Sequence, residues 1–531
     1  MTLLVVLTLG LLTIAAANAV SPRLRVPPAL LLVAVGVLAG LSGLVPSLAL
    51  DPEVELAVLL PALLYAAAAS MPATVFRREF TTVKSLSLVL VVVTALVLGL
   101  LFWWLIPGLG FGWGVALGAA LAPTDSVTPG IARAAGLRGR VLSLVQGEML
   151  LSGASALFLV RTVMFSAAVS FEFWLTVGQF FRAVFLAVLA GVLAGRLMLW
   201  LRSLVFKPAV STVFSFATPF LASIPAELLG ASGLVAAVTA GLATGRGALN
   251  WLNAQQRISD EHTWHAVEIV LEGAIFLLLG LQLPHIIAEV QHENASLGLA
   301  MLVSVVGFVT LLLVRINFMQ PVLRGMDRRL HRDVQRRVRV ETRRQSLPGD
   351  KVHPRWESRL RRWFADIAYQ SAEPLGRNSG FLIAWAGVRG ALSLAAVHTL
   401  PETMPHRGMA TLVAFTIVLL SLLVQGLTLP SAARRLAAPR DLEAQRQQAQ
   451  RLAAYLEEAA SEPAAAHPGQ ATARTDPRYA ALARARDEGG FDIEVLDAAL
   501  RRLDAGELAE GLGTDLRPAL SPDSNLHSEA C

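Results

Sequence analysis

Two things are scarce in this 531-residue chain: cysteine and charge. Its single cysteine is Cys531, at the very end. That excludes an internal disulfide framework, a cysteine-based zinc site and thiol chemistry in the body of the chain. Charged residues make up only 16% of the sequence, whereas a soluble domain carries about a quarter. The charges that exist are segregated: long stretches carry almost none, and short stretches are crowded with arginine. The formal net charge of +6 would suit nucleic acid as a partner. Its placement between apolar segments excludes that reading and points to charges that orient a chain in a bilayer.

Hydrophobic residues make up 54% of the chain, and they fall into runs. A membrane span needs about 20 apolar residues. Candidates occur at 2–20, 28–48, 53–72, 83–106, 111–132, 141–167, 173–201, 210–226, 231–246, 265–288, 297–319, 379–400 and 409–431, which makes thirteen. The first lacks a charged leader and is long for a signal peptide, so it is expected to stay as a span. Every second loop is basic: Arg23 and Arg25, then Arg77, Arg78 and Lys84, then Arg133, Arg138 and Arg140, then Arg202 and Lys207, then Arg246 and Arg257, and finally an arginine-dense loop from Arg324 to Arg344. The loops between, at 45–52, 107–110, 168–172, 227–230 and 289–296, hold no Lys or Arg. The positive-inside rule then places the N-terminus outside and the C-terminal tail in the cytoplasm. Residues 1–435 form the membrane domain in this reading. Residues 436–531 form a helical tail, with helices near 440–459 and 477–511, a linker at 460–476 and a disordered end.

Two spans are interrupted. The fifth holds Pro123, Pro129 and Gly130 around Thr124-Asp125-Ser126, and each proline removes a backbone donor and clashes with the preceding turn. The twelfth holds Gly387-Val388-Arg389-Gly390. If spans 1–6 and 8–13 are two repeats about span 7, both breaks are fifth in their repeat, and the repeats are inverted in the membrane. Interrupted helices at matching places of inverted repeats mark the substrate site of a secondary transporter.

A charge at mid-membrane is costly and needs a partner or a task. Asp125 sits in the first break, Glu148 in span 6 with Ser152 one turn on, Arg315 in span 11 and Arg389 in the second break. A buried carboxylate can bind a proton and a cation in competition, with the Asp125 carboxylate, Thr124, Ser126, Ser152 and freed carbonyls as oxygen donors suited to Na⁺ or K⁺. Glu148 has an equally good structural role, as one half of an ion pair. Glu268 and Glu272, a turn apart on span 10, are weaker candidates and receive no role. Gly153-Ala154-Ser155-Ala156 resembles the nucleophile loop of an intramembrane serine protease, but no histidine stands at matching depth, so an enzyme is not expected.

Seven segments, read together, resemble the bacterial branch of the monovalent cation:proton antiporter-1 family. They are Asp51-Pro52-Glu53, Leu59-Leu60-Pro61, Leu121-Ala122-Pro123-Thr124-Asp125, Gln146-Gly147-Glu148, Leu279-Gly280-Leu281-Gln282, Gly387-Val388-Arg389-Gly390 and Leu423-Val424-Gln425-Gly426. The tail segment Arg484-Ala485-Arg486-Asp487-Glu488-Gly489-Gly490 also resembles the end of that branch. The resemblance implies an all-α polytopic fold of about thirteen helices in a bacterial inner (plasma) membrane, a homodimer, and exchange of Na⁺ or K⁺ for H⁺ with no cofactor. It implies ion-site roles for Thr124, Asp125 and Glu148, with Asp125 and Thr124 holding the transported cation, and a partner for Glu148 that is Arg315 first and Arg389 second. The chain departs from the pattern in one place. The family has Asn-Asp at the fourth and fifth positions after the glutamate, where this chain has Ser152-Gly153. Activity would then rest on Asp125 and Glu148. The alternative is a transport-deficient relative acting as sensor or scaffold through its tail.

Overall fold

The computed structural model describes residues 2–43, 55–168, 173–205, 207–293, 296–345, 354–437, 442–461, 476–488 and 490–516. The expectations placed on Asp51-Pro52-Glu53, on most of the 460–476 linker and on the chain end fall outside these residues. Among the described residues there is no strand. The first helices are α1 (Thr2–Leu24), α2 (Pro28–Ser42) and α3 (Leu60–Ala69, entered through a π-turn at Glu55–Leu59). Helix α4 runs as Ala73–Lys84, a π-turn at Ser85–Val89, and Leu90–Leu105. The fifth span is split into α5a (Phe111–Ala120) and α5b (Val127–Ala134). There follow α6 (Gly139–Ala168), α7 (Phe173–Ser203), α8 (Pro208–Leu228), α9 (Gly233–Trp251), α10 (Ala254–His292) and α11 (Leu297–Gln345).

Next come α12 (Pro354–Ala372), the split twelfth span α13a (Arg377–Trp385) and α13b (Ala391–His398), and α14 (Arg407–Ser421, continuing through Leu422–Gly426 into Leu427–Leu436). The tail holds α15 (Leu442–Ser461), α16 (Pro477–Glu488) and α17 (Ile493–Leu516). The fold is therefore the expected all-α polytopic one, and both interruptions fall where proline and glycine placed them. Among the described residues, eight helices are each long and apolar enough to cross a bilayer. In lipid a helix satisfies its own backbone, which is why long apolar runs fold this way.

One stretch differs from the sequence reading. The sequence pattern predicts an arginine-rich loop after span 11, yet α11 continues to Gln345 and α12 follows as a separate helix. No glycine or proline stands between Gly325 and Pro348, and arginine is a good helix former. Hydropathy alone hides such a helix.

Helix α10 organises one side of the bundle. It starts with a capping box: the Gln256 N–H donates to Asn253 Oδ1 at 2.8 Å, and the Asn253 N–H donates to Gln256 Oε1 at 3.2 Å. Its middle packs on α2 through glycines. A Cβ on Gly280 would lie 2.3 Å from the Val33 carbonyl oxygen, and one on Gly36 would lie 2.3 Å from that of Leu277. The two backbones thus touch directly, the usual basis of helix association in lipid. Helix α1 adds Ile14 against Gly273.

The tail helices build a small core of their own from Leu452, Leu456, Leu482 and Leu496. They dock at the start of α10. Arg257 forms an ion pair with Asp504 and lies over the Tyr479 ring, 4.7 Å from its centroid, while the Tyr479 hydroxyl donates to Asp504 at 2.9 Å. All three side chains are shielded, so losing the arginine leaves a buried carboxylate unpaired. Arg257→Ala is expected to loosen this dock and speed trypsin cleavage within the tail. The thermal unfolding of the membrane helices should stay as in the wild type.

Candidate ion site at the crossing of two broken helices

The break between α5a and α5b meets the break between α13a and α13b. An opened helix exposes N–H and C=O groups that lipid cannot satisfy. Here each break serves the other. The Asp125 N–H donates to the Val388 carbonyl at 3.0 Å, and the Thr128 hydroxyl donates to the same carbonyl at 3.3 Å. The Leu392 N–H, in the first turn of α13b, donates to Asp125 Oδ1 at 3.1 Å. Asp125 therefore caps α13b, where a carboxylate is favoured by the helix dipole.

Glycine makes this proximity possible. A Cβ on Gly390 would lie 1.9 Å from Asp125 Oδ2, and one on Gly387 would lie 2.1 Å from the Arg315 guanidinium carbon. Any side chain at either place would displace a charged group of the site.

The Thr124 hydroxyl is the hub. It donates to Glu148 Oε1 at 2.9 Å and accepts from Arg315 Nη1 at 3.3 Å and Arg389 Nη1 at 3.1 Å. Arg315 grips both oxygens of Glu148, at 2.5 and 2.7 Å, and donates to the carbonyls of Ala384 and Ile383 at the end of α13a. Arg389 is held from behind at its backbone, whose N–H donates to the Ser421 hydroxyl at 2.8 Å. That hydroxyl donates to Gln425 Oε1, whose amide group donates in turn to the Trp385 carbonyl at 2.8 Å. Ser152 accepts from the Thr124 N–H at 3.2 Å. Thr124, Asp125, Glu148, Ser152, Arg315 and Arg389 are each 0–1% exposed, so this charge cluster is sealed from solvent.

The structure thus brings the six residues singled out from the sequence into one place, and gives Glu148 to Arg315 rather than Arg389. Three atoms here stand out by contrast. Asp125 Oδ2, Glu272 Oε1 and Arg389 Nε are buried and have no hydrogen-bond partner. The sequence reading assigned no role to Glu272, nor to Ser421 and Gln425, which only long-range packing brings to the site. At Gly153 there is no room to spare, because a Cβ would meet Leu392 Cδ2 at 2.4 Å.

A buried ion pair stripped of one partner typically costs about 3–5 kcal/mol, while apolar replacement of both is often neutral. Glu148→Gln and Arg315→Met, made singly, are each expected to lower thermal stability in detergent by about that amount. The double variant Glu148→Leu/Arg315→Met should recover most of the loss.

Over residues 9–435 the chain matches the family described as sodium/hydrogen exchanger, transmembrane. It is 29% identical over 430 residues to the uncharacterized Na(+)/H(+) exchanger YjcE of Escherichia coli, covering 76% of this chain and 71% of that one. It is 27% identical over 368 residues to the sodium, potassium, lithium and rubidium/H(+) antiporter of Bacillus subtilis, covering 65% and 48% respectively. Its fold is similar to that of the sodium proton antiporter MjNhaP1 of Methanocaldococcus jannaschii, with a TM-score of 0.59 at 16% identity, covering 83% of this chain and 100% of that one. The family match spans both broken helices and every charged residue of their crossing: this multi-pass membrane protein belongs to the sodium/hydrogen exchanger family.

Proposed function

We propose that the chain exchanges a monovalent cation, Na⁺ or K⁺, for H⁺ across a bacterial plasma membrane, and that Asp125 is the group that takes each in turn. The observation that carries this is Asp125 itself: a fully buried carboxylate with one oxygen capping α13b and the other without a partner. A buried anion with one oxygen left open is costly, and a proton or a monovalent cation each removes that cost. One carboxylate serving both ligands makes their binding mutually exclusive, which is the condition for exchange. The names of the relatives in Escherichia coli and Bacillus subtilis support the same reading.

The other residues hold the carrier in place. Arg315 and Glu148 neutralise each other and tie α6 and α11 to the end of α13a. Thr124 links that pair to Arg389. Its hydroxyl is fully engaged, so for Thr124 to bind a cation through its side chain it must first release one of these partners. Ser152 steadies the opened backbone at Thr124. The basic loops support an outside N-terminus and a cytoplasmic tail. Exposed apolar side chains such as Phe181, Phe185 and Leu193 of α7 suit lipid or the second copy of a homodimer.

Purified protein in vesicles with an imposed pH gradient tests the proposal. Adding Na⁺ or K⁺ should dequench an internal pH dye, and Asp125→Asn should abolish the response. Absence of a response to Na⁺, K⁺ and Li⁺ in the wild type would leave the tail-mediated scaffold as the better reading. Full exchange by Asp125→Asn would show that another group is the carrier.

A further inference from the structure

Helix α10 carries an acid beside the crossing. Glu272 has a buried Oε1 with no hydrogen-bond partner, like Asp125 Oδ2. Its carboxylate is within hydrogen-bonding reach of the Ser126 hydroxyl and within electrostatic range of Glu268 and Asp125. The placement has a second marker in Phe276, one turn further along α10. A Cβ built on Gly390 would lie 1.9 Å from Asp125 Oδ2 and 3.0 Å from the tip of the Phe276 ring, so this face of α10 abuts the unpartnered side of Asp125. On α6 nothing equivalent is offered beside Glu148, because the space at Gly153 is taken by Leu392.

The charges of the crossing give the pair its meaning. Two guanidiniums, Arg315 and Arg389, meet two carboxylates, Glu148 and Asp125, and Glu272 brings a third carboxylate within electrostatic range of Asp125. One negative charge is in excess. Glu148 is committed to Arg315 through both oxygens, so the excess belongs to Asp125 and Glu272. A single proton shared between two neighbouring carboxylates relieves it, as in other carboxylate pairs. A single monovalent cation between the two oxygens does the same, with the Ser126 hydroxyl at hand as a neutral ligand. Glu268, one turn back on α10, adds negative charge beside Glu272, but it lies 3.7 Å from His265 and about a third of its side chain is exposed, so it is not a member of the sealed pair.

We propose that Glu272 is a second ion-binding residue, so that Asp125 from the broken helix and Glu272 from α10 hold the transported ion between them. The inference rests on the exchange reading above and adds a residue to it. It also has a structural consequence. One carboxylate sits on the crossing of α5 and α13, and the other on the helix that packs backbone-to-backbone against α2. Loading the ion therefore ties the crossing to α10, and losing it unties them.

The full-length protein in vesicles of phosphatidylethanolamine and phosphatidylglycerol provides the test, with NaCl, KCl and LiCl as probes. Glu272→Gln should lower the initial exchange rate by about tenfold or more. It should also abolish the rise in unfolding temperature that Na⁺ or K⁺ gives the wild type in detergent, a readout that a purely structural glutamate would not move. Glu272→Asp, which keeps the charge on a shorter arm, should retain exchange with a raised half-saturating cation concentration, and it carries the test if the glutamine variant does not fold. Glu268→Gln should match the wild type. A wild type that exchanges, together with a Glu272→Gln variant of unchanged rate, half-saturation and cation-dependent stability, overturns this inference alone. A wild type inert to all three cations overturns the exchange reading and this one with it.

Discussion

The hydrogen bond from the Asp125 N–H to the Val388 carbonyl joins the two places where a membrane helix has been opened. In lipid an opened helix is stable only where its freed backbone groups find partners within the protein. The two breaks supply each other, and Leu392 and Thr128 complete the exchange of bonds. The rest of the site follows from this. Helix ends that would face hydrocarbon instead face one another, and their dipoles become available to charged side chains. Gly387 and Gly390 are required because the guanidinium of Arg315 and the carboxylate of Asp125 occupy the space where side chains would be.

Within this frame the charged groups divide their work. Arg315 and Glu148 form a closed pair with every strong donor direction filled. Such a pair is a brace: breaking it costs more than having it gains. Asp125 is different, because only one of its oxygens is engaged. A fully satisfied carboxylate has no reason to bind an ion. A half-satisfied one, buried and with a second acid nearby, does. The contrast between Glu148 and Asp125 lies in their partners, since both are equally buried.

Much of this was legible in the sequence. The spans could be counted because apolar runs alternate with basic and non-basic loops, and one slip would scramble that alternation. The breaks could be placed because Pro123, Pro129, Gly387 and Gly390 are incompatible with an undisturbed helix. The candidate charges could be named because few stand at that depth. What could not be read was contact between distant segments. Nothing in the spacing of α10 says that Glu272 turns toward Asp125, and nothing near Ser421 or Gln425 marks them as the support of Arg389. The continuation of α11 to Gln345 and the helix α12 were hidden for another reason: their arginines obscure the apolar signal on which span-finding depends. The Ser152-Gly153 departure was visible at once. What fills the place, the side chain of Leu392, was not.

The central claim is that one buried site takes either a proton or a monovalent cation, never both. Proton release on cation binding measures this without any transport. Purified protein in weakly buffered detergent solution, held at a pH where the free site carries its proton and titrated with NaCl or KCl beside a pH dye, should release about one proton per cation bound, because the two ligands compete for one carboxylate site. Asp125→Asn should release none. Cation binding by the wild type with no proton release would contradict the account, as would undiminished release by Asp125→Asn.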